Sequence, residues 1–447
     1  MSFSPLDSDL LGPLFTTEDM RAVFSERQFL SLMLRAEEAL ARAQADVGLV
    51  HRDLPGAIAG ISPDVLDPTA LAGQTRLAGV PAVPFVKAVQ SALPPELAGG
   101  FHYGSTTQDI IDTASVLQFR AALDLIEGDL RATILALAAI AERHCETPCV
   151  GRTASQHAAP VSFGFKVAGW CVALADHLAL IGPLRGRVLV ASLGGPVGTS
   201  AAMAEKADAV LAGFAAELGL GAPAIAWHTQ RGRIAELGSW LAILLGCLAK
   251  MATDIVHLAS TEVGEVSEPE VPGRGGSSSM PHKRNPIGAM TILSQHMAAG
   301  PHLSVLVSAM ASVHERPVGA WHSEWLALPS LFGLAAGALR EARILSEGIK
   351  VHPERMLRNL QATNGMIFSD AATGRLAQLM GRAEAYSAVE AAAAEVLSSG
   401  GTLQERLAER VPQHRDAIAL AFDTGPAVQA AAARCRAALK HARRQIE

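Results

Sequence analysis

The chain has 447 residues, of which 49% are hydrophobic, 18% charged and only 4% aromatic. This composition excludes a disordered chain, and a net charge of −6 gives no indication of nucleic-acid binding. The length predicts two or three domains. Because alanine and leucine supply much of the apolar content, the composition favours helices over sheets.

The N-terminal region is predicted to form short helices. One begins near Thr17, with Glu18 and Asp19 in its first turn, where acidic side chains suit the helix dipole. Residues 37–49 continue as helix. Residues 52–100 are richer in proline and glycine, which predicts several short helices there.

The middle of the chain is predicted to form long helices. Apolar residues recur at helical spacing over about 110–145 and more strongly over 231–261, and further helices are expected over 288–312 and 326–349. Thirty helical residues span roughly 45 Å. Such helices are apolar on more than one side, so we expect a bundle that also associates between chains. In the strongly apolar 231–261 helix, the uncharged stretch 237–249 is too short to cross a bilayer.

The C-terminal part, residues 366–447, is predicted to form shorter amphipathic helices after Pro353 and Asn364-Gly365. We therefore predict an all-α protein of three helical domains. These are an N-terminal domain (1–110), a central long-helix bundle (111–360) with a loop at 272–286, and a small C-terminal domain (361–447).

The cysteines indicate a reducing compartment. The sequence has five, an odd number, and no CxxC pair, so we expect reduced thiols in a cytoplasmic protein. The first twenty residues do not show the pattern of a signal peptide, in which basic residues precede an apolar stretch. No metal-ligand set or cofactor motif occurs, so we expect neither a metal nor a cofactor.

Residues 275–286 are the most informative segment. They read Gly-Gly-Ser-Ser-Ser-Met-Pro-His-Lys-Arg-Asn-Pro. Flexible backbone followed by convergent cations suits a loop that closes over an anionic, reacting substrate. The alternative is a solvated surface loop with a chance cluster of charges.

A second segment, His102 to Asp109, carries small hydroxyl and amide groups that bind carboxylate oxygens without adding charge. The alternative is an N-terminal cap for the helix that follows. Both roles are compatible, because helix N-termini attract anions.

These segments resemble the fumarase/aspartase superfamily over about residues 10–440. Residues 276–285 match its signature loop position by position, and His102–Asp109 resembles its first conserved block. Residues 151–160 resemble the second block, which reads Gly-Arg-Thr-His in the elimination enzymes; here Ala154 stands in place of the histidine. The chain also lacks, over residues 79–87, the His-Asp pair of adenylosuccinate lyase.

The resemblance implies that a carbanion, stabilised as an aci-carboxylate, forms in a water-poor site. It implies that Ser277 transfers the alpha proton and that Lys283 and Asn285 stabilise the intermediate. The remaining residues that it implies contact the substrate are His102, Ser105, Thr106, Thr107, Arg152, Thr153, Gln156, His157, Gln230, Ser278, Met280 and Arg316. Two of these have structural alternatives: His157 as a hydrogen-bonded core histidine, and Gln230, with His228, as a cap of the 231–261 helix.

Residues 314–325 indicate a branch of the superfamily. Their Glu-Arg…Trp-x-x-Glu-Trp pattern resembles the lactonizing enzymes, although interfacial packing of aromatic side chains is the alternative. Arg316 then pairs with a substrate carboxylate in two-point fashion. The implied reaction is cyclisation of 3-carboxy-cis,cis-muconate to 4-carboxymuconolactone, in which the substrate supplies its own nucleophile.

Two other functions remain open at this point. One is β-elimination from a substituted succinate to release a fumarate-type product. The other is a binding or structural protein that retains the scaffold, against which Ser277, Lys283 and Asn285 argue. The resemblance further implies a homotetramer whose active sites are shared between subunits, a small polycarboxylate as substrate, and no nucleic-acid or membrane partner.

Overall fold

The computed structural model describes residues 3–446. The all-α prediction is confirmed, and the short N-terminal helices fall where they were expected. Thr17 caps the second helix by accepting a hydrogen bond from Met20 N at 3.3 Å. The helices of this region are α1 (Gly12–Phe15), α2 (Glu18–Val23), α3 (Glu26–Asp46), α4 (Leu54–Ala59), α5 (Pro68–Ala78), α6 (Ala82–Ala92) and α7 (Pro95–Ala98).

The central region contains the long helices and two short antiparallel strand pairs, β1–β2 and β3–β4. The sequence pattern predicts the helices but not the strands. The elements are α8 (Thr107–Arg143), β1 (Pro148–Thr153), β2 (Gln156–Ser162), α9 (Phe163–Leu178), α10 (Ile181–Val188), α11 (Ala207–Leu218), α12 (Gly232–Leu258), β3 (Val266–Ser267), α13 (Ile287–Ala309), α14 (Ala320–Gly348) and β4 (Lys350–Val351).

The C-terminal region is a series of shorter helices, as predicted. Four of them, within residues 369–421, surround a hydrophobic core that includes the fully buried Leu376, Leu403 and Leu407. The helices are α15 (Pro353–Gln361), α16 (Ser369–Met380), α17 (Arg382–Ser399), α18 (Leu403–Arg410), α19 (Arg415–Ala421) and α20 (Gly425–Ile446). Short 3₁₀ turns cover Pro5–Asp7, Pro63–Leu66, Ala201–Lys206, Met366–Phe368 and Pro412–His414.

By internal packing, the described chain separates into two compact units. Unit 1 contains residues up to Asp129, Leu180–Gly246 and Ser294–Arg340; unit 2 contains Leu130–Ala179, Cys247–Leu293 and the residues from Glu341 onwards. The three-domain division at residues 110 and 360 stays a prediction.

Each unit has its own packed interior. In unit 1, the ring of Phe332 lies 5.5 Å from that of Phe24 and 5.9 Å from that of Phe119, measured between centroids. In unit 2, Gly164 at the start of α9 allows close approach to the end of α8. A side-chain carbon at that position would lie 2.3 Å from Ala141 O, so only glycine fits.

Two helical stretches, Phe163–Val188 and Gly232–Leu258, are long and apolar enough to cross a membrane by length and composition alone. In the most apolar window of each, 56% and 50% of the residues are buried inside the protein. Core helices of soluble proteins have the same properties, so these stretches are weak indicators of membrane insertion.

The five cysteines are free thiols, and all except Cys247 are buried. Burial raises the pKa of Cys149 and of Cys171 to about 12. Since the thiolate is the reactive form, these two side chains are packing groups at neutral pH.

Candidate active site

The segment His102–Asp109, which resembles the first conserved block of the superfamily, lies in unit 1 at the N-terminus of α8. Asp109 holds this segment in place. The fully buried Asp109 carboxylate accepts hydrogen bonds from Thr106 N at 3.0 Å and from Gly195 N at 2.9 Å, and it lies 2.6 Å from His228 Nε2. It therefore caps α8 and joins three separate segments of the chain. The neighbouring hydroxyls of Ser105 and Thr106 remain partly exposed.

His102 lies beside this helix start in an unusual backbone conformation, with φ at 63°. Its Nδ1 is 2.5 Å from Glu37 Oε1 on α3 and 3.1 Å from Ser105 Oγ. Burial disfavours the charged imidazole, but the charge and hydrogen bond of Glu37, with a further contribution from Asp109, outweigh it and raise the pKa of His102. Glu37 is absent from the site residues predicted from the sequence. The available signal was a carboxylate on the apolar stripe of α3, between Met33 and Leu40.

Arg316 is also in unit 1, in the loop before α14. Its guanidinium donates to Gln108 Oε1 at 2.9 Å, to Pro196 O at 2.9 Å and to Thr106 Oγ1 at 3.3 Å. All three acceptors are uncharged, and within residues 3–446 no carboxylate pairs with this cation. A half-buried positive charge next to the helix start is therefore uncompensated.

The tryptophan-rich segment that follows contributes to a buried ionic network rather than to an exposed surface. Arg231 donates to Asp112 Oδ2 at 2.7 Å and to Glu324 Oε1 at 2.9 Å, and Trp321 Nε1 donates to Asp112 Oδ1 at 2.9 Å. Burial raises the pKa of Glu324 even though Arg231 opposes this effect. Gln230, which precedes this network in the chain, is exposed.

Residues 151–160, which resemble the second conserved block of the superfamily, lie in unit 2 and belong to the β1–β2 hairpin. Its turn consists of Ala154 and Ser155, both with left-handed backbones, at φ 47° and 61°. Arg152 makes a two-point ion pair with the buried Glu265, at 2.6 and 3.0 Å, and Asn359 Nδ2 donates to the same carboxylate at 2.8 Å. Because a carboxylate already holds Arg152, the charge that it could offer a substrate is largely neutralised.

The other hairpin residues differ in exposure. Thr153 and Gln156 are exposed at the tip, whereas His157 is partly buried. Burial and the nearby charge of Arg152 lower the pKa of His157, so its imidazole is neutral at neutral pH. Its Nδ1 is buried and, within the part of the chain that the structure describes, has no hydrogen-bond partner.

The signature loop, also in unit 2, is closed on itself. Asn285 N donates to Gly275 O at 2.8 Å, and Gly276 pairs with Arg284. Gly275 has φ at +68°, and a side-chain carbon there would lie 2.6 Å from Asn285 O, which explains the glycine. Lys283 Nζ donates to Asn285 Oδ1 at 2.8 Å.

Ser277 occupies a turn inside this loop. Its Oγ accepts hydrogen bonds from Met280 N at 3.1 Å and from Ser279 N at 3.4 Å. Two backbone donors on one hydroxyl oxygen favour its negatively charged form. Ser278, Met280 and Lys283 are exposed. In the described part of unit 2, no hydrogen bond or ion pair links these loop residues to the hairpin.

Both stems of the loop are anchored. Glu268 accepts hydrogen bonds from Gly288 N at 3.0 Å and Ala289 N at 2.9 Å, which caps α13. Arg274 donates to Glu341 Oε2 at 2.6 Å and lies 3.6 Å from Glu268. These contacts hold the start of α13 and do not involve residues 277–284.

Comparison with known proteins is consistent with this arrangement. A family model described as lyase matches residues 15–298. A 3-carboxy-cis,cis-muconate cycloisomerase of Pseudomonas aeruginosa is 44% identical over 387 residues, 86% of this chain and 84% of that protein. A nitrosuccinate lyase of Streptomyces davaonensis is 40% identical over 433 residues, 93% of this chain and 90% of that protein.

Among solved structures, the 3-carboxy-cis,cis-muconate lactonizing enzyme of Pseudomonas putida superimposes with a TM-score of 0.93 at 39% identity, covering 98% of this chain and 100% of that one. The chain therefore belongs to the lyase family, that is, to the fumarase/aspartase superfamily. Its similarity to the cycloisomerases of that superfamily, predicted from the sequence, is confirmed.

Proposed function

We propose that this protein is a 3-carboxy-cis,cis-muconate cycloisomerase that forms 4-carboxymuconolactone in the protocatechuate branch of aromatic degradation. The observation that carries the proposal is Ala154, where the elimination enzymes have a proton-transferring histidine. Lactone formation has no leaving group to protonate, so it does not need that residue. The named cycloisomerase relatives support the same substrate.

The reaction needs orientation and charge stabilisation more than a strong base. One substrate carboxylate oxygen bonds to the double-bond carbon, and the displaced electron pair moves to the alpha carbon and its carboxylate. Lys283 and Asn285 stabilise this aci-carboxylate. The Ser277 hydroxyl then gives its proton to the alpha carbon, and the two backbone donors on Oγ hold the resulting alkoxide. The alkoxide then takes a proton from solvent water, which restores the serine. The lactone acid is an isomer of the substrate acid, so no reactant other than this proton is required.

The substrate carboxylates bind to residues of the conserved segments, which different subunits of the assembly proposed below contribute. Arg316 supplies an uncompensated charge, and His102, Ser105, Thr106 and Thr107 surround the positive end of α8. Thr153, Gln156 and His157 of the hairpin, Gln230, and Ser278 and Met280 of the loop complete the contacts, while Arg152 acts mainly by holding the hairpin through Glu265.

A second candidate is β-elimination from a substituted succinate, favoured by the nitrosuccinate lyase that matches 93% of this chain. The same aci-carboxylate would form by removal of the alpha proton. With alanine at position 154, however, the histidine that transfers the proton of the leaving group in the elimination enzymes is missing. Only a group that departs as a stable anion, such as nitrite, suits this chemistry.

One assay separates the two candidates. Purified protein is given 3-carboxy-cis,cis-muconate, with lactone formation followed by NMR, and in parallel nitrosuccinate, with nitrite and fumarate measured. We expect kcat/KM to be far higher for the muconate. Higher kcat/KM for nitrosuccinate, or lactone formation no faster than without protein, would refute the cycloisomerase proposal.

Replacing Lys283 with alanine is expected to lower kcat by about 10²–10³-fold, the effect of removing one preorganised donor to an oxyanion. The exposed side chain buries little, so the free energy of unfolding should change by less than ~1 kcal/mol. Steady-state kinetics and thermal unfolding measure the two effects. Near-normal kcat would remove Lys283 from the mechanism, and the neighbouring Arg284→Ala variant is the control for loop charge.

We also propose that the protein is a cytoplasmic homotetramer with active sites shared between subunits. Exposed apolar side chains on α13 support association; Met297 is 74% exposed and Val307 53%. The helix α8 begins at the first of the conserved segments, and its 37 residues span about 55 Å. Association of antiparallel neighbours would bring opposite ends together.

Subunit complementation tests the shared site. Inactive His102→Ala and Ser277→Ala proteins are mixed, unfolded and refolded together, and activity is compared with each variant refolded alone. Because mixed tetramers would contain some unmodified sites, we expect a fraction of wild-type activity to return. No recovery from correctly assembled mixed tetramers, or a monomeric mass by light scattering, would contradict the proposal.

A further inference from the structure

Two buried polar side chains of α3 reach the segment that carries His102. Glu37, 1% exposed, lies 2.5 Å from His102 Nδ1, and Gln44, also 1% exposed, donates to Tyr103 O at 2.7 Å. The two are seven residues apart, so they lie on the same face of the helix. One fixes the imidazole and the other the adjoining backbone.

The geometry gives the two ring nitrogens different roles. Glu37 takes Nδ1, whereas Nε2 has no hydrogen-bond partner in the chain as described, and the His102 side chain is 19% exposed. The charged groups that act on this ring are Glu37 on α3 and Asp109 in the first turn of α8. The Asp109 carboxylate is itself held by His228 and two backbone donors, so Glu37 is the main partner.

We propose that Glu37 is a positioning residue for substrate binding, which holds His102 with Nδ1 inward and keeps the imidazole positively charged at the proposed carboxylate site. This inference rests on the proposed function, since it assigns the charge to a polycarboxylate substrate. A neutral imidazole would contribute a single hydrogen bond. An imidazolium adds a charge, and charge-assisted hydrogen bonds are roughly twice as strong as neutral ones.

A buried ion pair seldom stabilises a fold on balance, because the desolvation of two charges offsets their attraction. A purely structural role would therefore leave little reason for a buried carboxylate in the apolar stripe of α3. Control of the charge on the His102 ring, which faces the proposed substrate, provides such a reason. The raised pKa of His102 agrees with this role, since the imidazolium then persists to higher pH than in an unperturbed histidine.

The test is the pH dependence of KM and kcat in Glu37→Gln, which keeps the shape and a hydrogen-bonding group but removes the charge. Without Glu37, burial favours the neutral ring, so the wild-type enzyme and the variant differ most at neutral pH. We expect KM to rise about 10-fold there. The difference should shrink as the pH falls through the lowered pKa of the variant's imidazole, because that ring then also becomes protonated. Because the effect is on binding, kcat should change much less than KM.

Two further variants separate charge from structure. Gln44→Leu loosens the same segment without changing any charge, so its effect on KM should be the same at every pH. The glutamine in His102→Gln is neutral at every pH, so the KM of this variant should not approach the wild-type value as the pH falls. This variant provides the same test if Glu37→Gln does not fold. A rise in KM of Glu37→Gln that is independent of pH, or no rise at all, would overturn the proposal.

Binding of an unreactive tricarboxylate, propane-1,2,3-tricarboxylate, gives a readout that does not depend on turnover. Its affinity, measured by calorimetry for the wild-type protein and for Glu37→Gln, should follow the same pH dependence. If this pattern is present but the protein forms no lactone, the function proposed above fails and the role of Glu37 stands. If lactone forms but the affinity difference between the two proteins is the same at every pH, the role of Glu37 fails alone.

Discussion

Replacing Ser277 with alanine is expected to lower kcat by about 10²–10⁴-fold, the range for loss of a positioned proton-transfer group, and to leave substrate affinity nearly unchanged. The hydroxyl oxygen accepts from Met280 N at 3.1 Å and from Ser279 N at 3.4 Å, which favours the alkoxide that proton transfer requires. The variant keeps the backbone of the loop. Single-turnover kinetics together with equilibrium binding of the substrate would separate the two effects.

Ser279, a second serine of the same turn, provides a matched control for this prediction. Ser279→Ala removes a hydroxyl from the same exposed loop, and its backbone N–H still donates to Ser277. Its kcat should stay within about 10-fold of normal, far above that of a variant that has lost its proton donor. If Ser278→Ala or Ser279→Ala is far more damaging than Ser277→Ala, the proton donor is misassigned by one or two positions.

Replacing Arg231 with methionine is expected to lower the free energy of unfolding by about 3–5 kcal/mol, because it leaves two buried carboxylates without their cation. Asp112 and Glu324 are each 5% exposed or less and share this single guanidinium. Chemical denaturation monitored by circular dichroism measures the loss. Arg233 lies two residues further on, in the first turn of α12, and is only partly buried. Arg233→Met should therefore lower the free energy of unfolding by less than ~1 kcal/mol.

The loss should depend on pH in a defined direction. Burial already raises the pKa of Glu324, and removing Arg231 would raise it further. An acid whose pKa is higher in the folded state destabilises that state as the pH rises and the group ionises. The difference between Arg231→Met and wild type should therefore be largest at neutral pH and should decrease as the pH falls toward about 4. A difference that is constant with pH would mean that lost packing, not unpaired charge, explains the instability.

The sequence predicted those features of the fold that depend on local pattern. Long apolar repeats predicted α8 and α12, and Thr17 with its acidic first turn predicted the start of α2. The β1–β2 hairpin was missed because its turn uses Ala154 and Ser155 in left-handed backbones, without the glycine or asparagine that usually indicates such a turn.

The site residues were predicted from motifs, but their partners were not, because the partners are distant in sequence. Glu265 is 113 residues from Arg152, and Glu37 is 65 residues from His102. Neither pairing leaves a local periodic signal. A charged residue inside an apolar helical stripe was the one available indication, and it pointed to Glu37 without identifying His102 as its partner.

The anchored stems of the signature loop have a consequence for engineering. Arg274 holds the residues before the loop by its contact with Glu341, and Glu268 holds the start of α13 after the loop. Neither set of contacts involves residues 277–284. Residues 277–284 are therefore suited to replacement by loops from other proteins. Loops from relatives with other substrates could be exchanged between Gly276 and Asn285 with the stem contacts retained, so that changes in substrate preference would be separated from changes in folding.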